Sequence, residues 1–96
     1  MEMEPGYMLK LLKQDRFLRA DELYQVTRFI GFRTGRDGKL QKVTIEIFDA
    51  GESTTLRFHC VARTEDGRMA TGNPEKTVDV AIDCAHWSEL DNAREI

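Results

Sequence analysis

The run from Gly67 to Leu90, GRMATGNPEKTVDVAIDCAHWSEL, constrains the chain most, because it carries a helix start and a strand-like alternation at once. Gly72 can take a positive φ, Asn73 is a favourable N-cap, and Pro74 suits the first helical position, where its missing N–H costs nothing. Together they predict a helix from Pro74. Against this, Val78, Val80, Ile82 and Cys84 alternate with Asp79, Ala81 and Asp83, the period of a half-buried strand. On a wheel at ~100° per residue, Glu75, Lys76, Asp79, Asp83 and His86 share a polar arc. Val78, Ala81, Ile82, Cys84 and Ala85 gather opposite, and only Leu90 falls outside the pattern. A start signal and a run of about four to five turns favour the helix, and Ala81 and Ala85 then let its axis lie close to a sheet.

The rest of the chain predicts what that helix covers. Met1 to Pro5 has no anchor and reads as a frayed end, as does the tail after Asp91. Tyr7 to Leu18 places Tyr7, Met8, Leu11, Leu12 and Leu18 on one side of an amphipathic helix; Asp15 interrupts the apolar arc and Leu9 lies outside it, so the helix is expected to end early. Tyr24 to Arg33 and Val43 to Phe48 form a hairpin around a turn at Gly35, Asp37 and Gly38. Val43, Ile45 and Ile47 point to a core. In the first strand Tyr24, Val26, Ile30 and Phe32 share a parity with Arg28, which implies a bulge near Arg28 or an edge position. After a turn at Ala50 to Ser53, Leu56, Phe58, Cys60 and Ala62 alternate with Arg57, His59, Val61 and Arg63. A turn at Glu65 to Gly67 leads into a short fourth strand from Arg68 to Thr71.

This order is an α+β two-layer sandwich of one domain over residues 1–96: helix, three or four antiparallel strands, helix, with both helices on one sheet face. Ninety-six residues, 41% apolar and 32% charged, suffice for a core without metal or disulfide. A net charge of −3 argues against wholesale binding to nucleic acid or an anionic membrane. With no run approaching the ~20 apolar residues of a membrane span and an acidic start, the expected location is the cytoplasm, where both cysteines stay free thiols.

Chemistry-bearing residues are few. His59, Cys60, Cys84 and His86 are zinc-ligand types, but His59 and Cys60 point to opposite faces of a strand, and Cys84 and His86 lie about 200° apart on a helix. No metal site is expected, and no cofactor. Cys60 and Cys84 both fall on core-facing positions, where burial raises a thiol pKa and argues against a Cys/His nucleophile. Asp79 and Asp83 read as a solvated stripe, and Gly35, Gly38 and Gly67 belong to turns between strands, so none of the three opens a helix as a phosphate cradle does. The chain is therefore not expected to be an enzyme.

Charge is uneven: Tyr24 to Arg68 holds eight Lys/Arg against six Asp/Glu, and Met69 to Ile96 two against six. Strand parity sends Arg57, His59, Arg63 and Lys42 to the open sheet face, beside Thr44, Val61 and Phe48. Trp87 and Leu90 are a second candidate, a small apolar patch for another copy of the chain.

The helix–sheet–helix order, with the last strand running through Gly72 into an alanine-containing helix, resembles the double-stranded-RNA-binding domain. That family places a lysine cluster at the start of its last helix. Here the stretch is Asn73, Pro74, Glu75, Lys76, which argues against duplex binding. The expected function is a small non-catalytic binding or regulatory module acting through a protein partner or as a homodimer. The alternative is a single-stranded nucleic-acid binder using the basic sheet face.

Overall fold

The computed structural model describes residues 5–91; of the frayed ends expected at 1–5 and 92–96, residues 1–4 and 92–96 lie outside the described residues, and Pro5 instead opens the first helix. The elements are α1 (Pro5–Gln14), β1 (Gln25–Thr34), β2 (Leu40–Asp49), β3 (Phe58–Thr64), β4 (Met69–Thr71) and α2 (Val78–Asp83), followed by a 3₁₀ segment at Trp87–Asp91. The strands form one antiparallel meander in the order β1-β2-β3-β4. This is the predicted α+β architecture. No described helix is long and apolar enough to cross a membrane.

Two hairpins are closed by the same turn. The Gly38 N–H donates to the Gly35 carbonyl and the Gly35 N–H to the Lys39 carbonyl, both at 3.0 Å. Gly67 N–H to Thr64 C=O at 3.1 Å and Thr64 N–H to Arg68 C=O at 3.0 Å repeat the pattern between β3 and β4. In each the glycine takes a positive φ, 79° at Gly38 and 89° at Gly67, as a type I turn followed by a bulge requires. Asp37 and Asp66 precede these glycines, and each side chain accepts the N–H two residues on.

The first turn fixes the register and with it the faces of β1. Phe29 stands opposite Ile45 and Gly31 opposite Val43, so the odd-numbered residues of β1 share the helix-bearing face. Val26, Ile30 and Phe32 therefore lie on the outer face, paired with Phe48, Thr44 and Lys42. Their shared parity does not mark a core face. The ten-residue pairing has no bulge. Arg28 shares their parity because β1 is an edge strand, where its guanidinium reaches Glu46 at 3.1 Å.

The core is small and rich in alanine. Val43, Ala62, Ala70 and Leu90 form its centre, with Ile45 and Trp87 packed around them. Ala81 and Ala85 are buried as expected, bringing α2 down onto β3.

The helix from Pro74 does not form as the sequence suggests. Glu75 and Phe58 exchange two backbone hydrogen bonds, 2.8 and 2.9 Å, which hold the chain extended just past Pro74. Helix begins only after Thr77, whose φ of −128° and ψ of 155° make it the N-cap in place of Asn73. Nor does Gly72 use a positive φ. A Cβ there would lie 2.6 Å from the Cys84 carbonyl oxygen, so glycine serves the close approach of the end of α2 to β4. The helix stops after six residues and the chain restarts as 3₁₀ at Trp87, which resets the phase of the wheel. Leu90, polar-side on a continuous helix, thereby becomes core, 1% exposed, and Cys84 turns to solvent.

α1 differs in a related way. It ends at Gln14, and Asp15 accepts the N–H groups of Phe17 and Leu18 at 2.8 and 2.9 Å. Its buried residue is Leu9, packed against the β2–β3 turn at Gly51, while the Lys13 ammonium donates to the Ala50 carbonyl. The predicted apolar arc of Tyr7, Met8, Leu11 and Leu12 faces solvent.

Candidate functional site

The outer sheet face carries most of the residues singled out from sequence. Cross-strand pairing lines up Val26, Phe48 and His59, then Arg28, Glu46, Val61 and Thr71, then Ile30, Thr44, Arg63 and Met69. Lys42 lies beside Phe32 in the next row. A shallow cleft of about 280 Å³ runs between Arg28, Lys42, Thr44, Glu46, Arg63 and Glu65. His59, Arg63 and Lys42 are thus brought to one face, as expected.

Arg57 is not part of that row. It precedes β3, and its guanidinium turns back to bind Asp49 through two contacts, Nε to Oδ1 at 2.6 Å and Nη2 to Oδ2 at 2.9 Å. The Arg57 hydrogen bond holds the Asp49 carboxyl below its ordinary pKa, and Asp49 in turn raises that of Arg57. Arg57 closes the sheet end where β2 meets β3, and its charge is spent within the chain.

The remaining cations are largely neutralised too. Arg28 pairs with Glu46, and Lys42 reaches Glu65 at 4.0 Å. Arg63 has no ion-pair partner among the described residues. Two rows away on the same face lies an aromatic row: Tyr24 meets Phe48 edge-on with centroids 6.0 Å apart, Phe48 meets His59 at 6.1 Å, and the His59 Nε2 is 2.8 Å from the Thr71 hydroxyl. His59 is thereby tied into the face as a packed ring.

The Trp87–Leu90 patch is absent. Leu90 is buried, and Trp87 packs on the core with its indole N–H donating to the Ile82 carbonyl at 2.8 Å. Cys60 is buried and burial pushes its thiol pKa up, the opposite of nucleophile activation; Cys84, expected on the core side too, is exposed at the end of α2. Among the described residues no three His, Cys, Asp or Glu side chains cluster as metal ligands.

What sequence reading missed is the apolar surface of β1. Phe29, Ile30 and Phe32 are 55%, 63% and 67% exposed, and Leu40, opposite Thr34, is exposed as well. The alternation in β1 looked like a core signal; the adjacent pair Phe29-Ile30, apolar on both faces, was the clue to a strand uncovered on both sides. Compared with protein-family models, curated proteins and solved structures, the chain matches none.

Proposed function

We propose that the chain is a small non-catalytic binding or regulatory module that acts through a protein partner or as a homodimer. One observation carries this reading: none of the five phenylalanines is buried, while the largest fully buried side chains are Leu90 and Cys60. A chain that spends alanines on its core and leaves Phe17, Phe29 and Phe32 in water has apolar surface left over for a partner. The Cα radius of gyration, 15.9 Å, exceeds the roughly 12.5 Å of a compact domain of this length. A cytoplasmic setting, where free thiols stay reduced, fits this reading.

The second reading, single-stranded nucleic-acid binding on the outer face, is favoured by the Tyr24–Phe48–His59 row with Arg63 on the same face. Two features weigh against it. Stacking needs free ring faces, and Phe48 and His59 are half-buried against their neighbours. Phosphate capture needs free cations, and Arg28 and Lys42 already face glutamates. The test is sedimentation of the chain alone, with binding to single-stranded oligonucleotides at low and high salt. Self-association or a saturable protein complex, with no oligonucleotide bound, is expected. Salt-sensitive oligonucleotide binding abolished by Arg63→Ala would overturn the reading.

A further inference from the structure

We infer that the free edge of β1 is the interface of a symmetric dimer, two copies pairing antiparallel through β1 into one continuous eight-stranded sheet; this rests on the binding-module reading above. The opposite edge of the sheet is closed: Glu75 extends β4's side of the sheet by bonding Phe58, and the His86 N–H donates to the Thr71 carbonyl at 3.3 Å. Among the described residues, no segment hydrogen-bonds to the outer edge of β1. Because the Gly35 N–H bonds Lys39, odd-numbered residues of β1 bond β2, and the N–H and C=O groups of Val26, Arg28, Ile30, Phe32 and Thr34 point outward along ten unbroken residues.

Soluble proteins block such an edge with lysine, proline, a bulge or a very short strand. β1 has none of these. Its two arginines carry no unmatched charge, Arg28 being held by Glu46 and Arg33 by Asp91. A charged partner strand therefore has nothing on this edge to read, whereas an identical strand meets no net repulsion.

The pattern of β1 also fits itself. A flat surface covers one face of a strand, yet Phe29 is exposed on the helix side and Ile30 and Phe32 on the outer side. An added strand flanks side chains on both faces at once. With a twofold axis at Ile30, the outward backbone groups pair as Ile30 with Ile30, Arg28 with Phe32 and Val26 with Thr34 of the second copy. On the helix side each Phe29 then stands opposite Gly31 of the second copy. A Cβ built at Gly31 meets nothing within 4 Å, so the space for the ring is open. An aromatic ring over a cross-strand glycine shields its backbone, a pairing that sets register in sheets. Four exposed apolar side chains per copy, Val26, Phe29, Ile30 and Phe32, gain cross-strand neighbours beside the paired backbone.

The test is sedimentation equilibrium of the wild type and of Ile30→Lys, with circular dichroism to establish that the variant is folded. Ile30 lies outside the core, so the variant should keep its fold while placing two lysines face to face on the axis. A wild-type dimer whose dissociation constant rises at least about tenfold in Ile30→Lys is expected. Nitroxide labels on I30C and V26C, each in a Cys84→Ser background, then read the register. Labels at 30 should couple strongly across the axis, while those at 26 sit eight residues apart, about 27 Å. A dimer unaffected by Ile30→Lys, or stronger coupling at 26 than at 30, overturns the β1 pairing and leaves the binding-module reading standing. A wild type monomeric to millimolar concentration also overturns it. Oligonucleotide binding would instead remove the reading beneath it.

Discussion

Arg33 on the edge strand and Asp91 at the end of the 3₁₀ segment meet in a two-point ion pair, Nη1 to Oδ1 at 3.0 Å and Nη2 to Oδ2 at 3.1 Å, across 58 residues of sequence. Asp91 also accepts the Arg36 N–H at 3.3 Å. One carboxylate thus ties the first hairpin to the end of the described chain, and the Arg68 guanidinium donates to the Leu90 carbonyl at 3.1 Å to hold the same segment from the β4 side. The hydrogen bond from Arg33 holds the Asp91 carboxyl below its ordinary value of 3.8.

A depressed folded-state pKa means that the ionised form stabilises the fold above pH 3.8, and that this contribution is lost as pH falls through the lower folded value. Asp91→Asn should therefore melt at a lower temperature than wild type at neutral pH, with the gap closing under acid. A gap that stays constant down to acid pH would show that the Asp91 charge adds nothing.

Gly72→Ala places a methyl group 2.6 Å from the Cys84 carbonyl oxygen, which is backbone and cannot swing aside. The expected cost is about 1–3 kcal/mol by urea denaturation. Gly6→Ala is the control: nothing lies within 4 Å, and alanine in α1 should be neutral or stabilise by up to about 1 kcal/mol. Equal effects at the two positions would argue against the close approach at Gly72.

Leu90→Ala should destabilise by about 2–5 kcal/mol, because Leu90 fills the centre of the core among Val43, Ala62 and Ala70. Asn73→Ala, by contrast, should change stability by less than about 0.5 kcal/mol, since Thr77 is the N-cap and Asn73 is exposed. The reverse ranking would mean that a continuous helix starts at Pro74.

Ala81→Glu buries a carboxylate beneath α2, where the alanine is 1% exposed, and should prevent folding as read by circular dichroism. Val80→Glu, on the solvent side of the same helix, should fold normally. Tolerance at 81 with collapse at 80 would indicate a strand.

Local rules of turn chemistry and alternation were enough to read much of this fold from the sequence. Asp37-Gly38 and Asp66-Gly67 declare their turns, Val43, Ile45 and Ile47 declare the core face of β2, and Ala81 and Ala85 declare the buried side of α2. Those signals are local because a turn needs only its own positive φ and a strand only its own alternation. His59, Arg63 and Lys42 were placed on one face by the same parity rule. Four features were decided by tertiary structure alone. The Phe58–Glu75 bridge competes with the first turn of the predicted helix and wins, because two backbone hydrogen bonds to a sheet strand outweigh a single N-cap interaction of about 1 kcal/mol. The break after Asp83 sends Leu90 into the core, an outcome no wheel drawn through an uninterrupted helix can show. Arg57 leaves its parity row because Asp49 lies within reach only once β2 and β3 are paired. Register across a turn put Val26, Ile30 and Phe32 on the uncovered face, since alternation tells which residues of a strand go together but not which side the helices take.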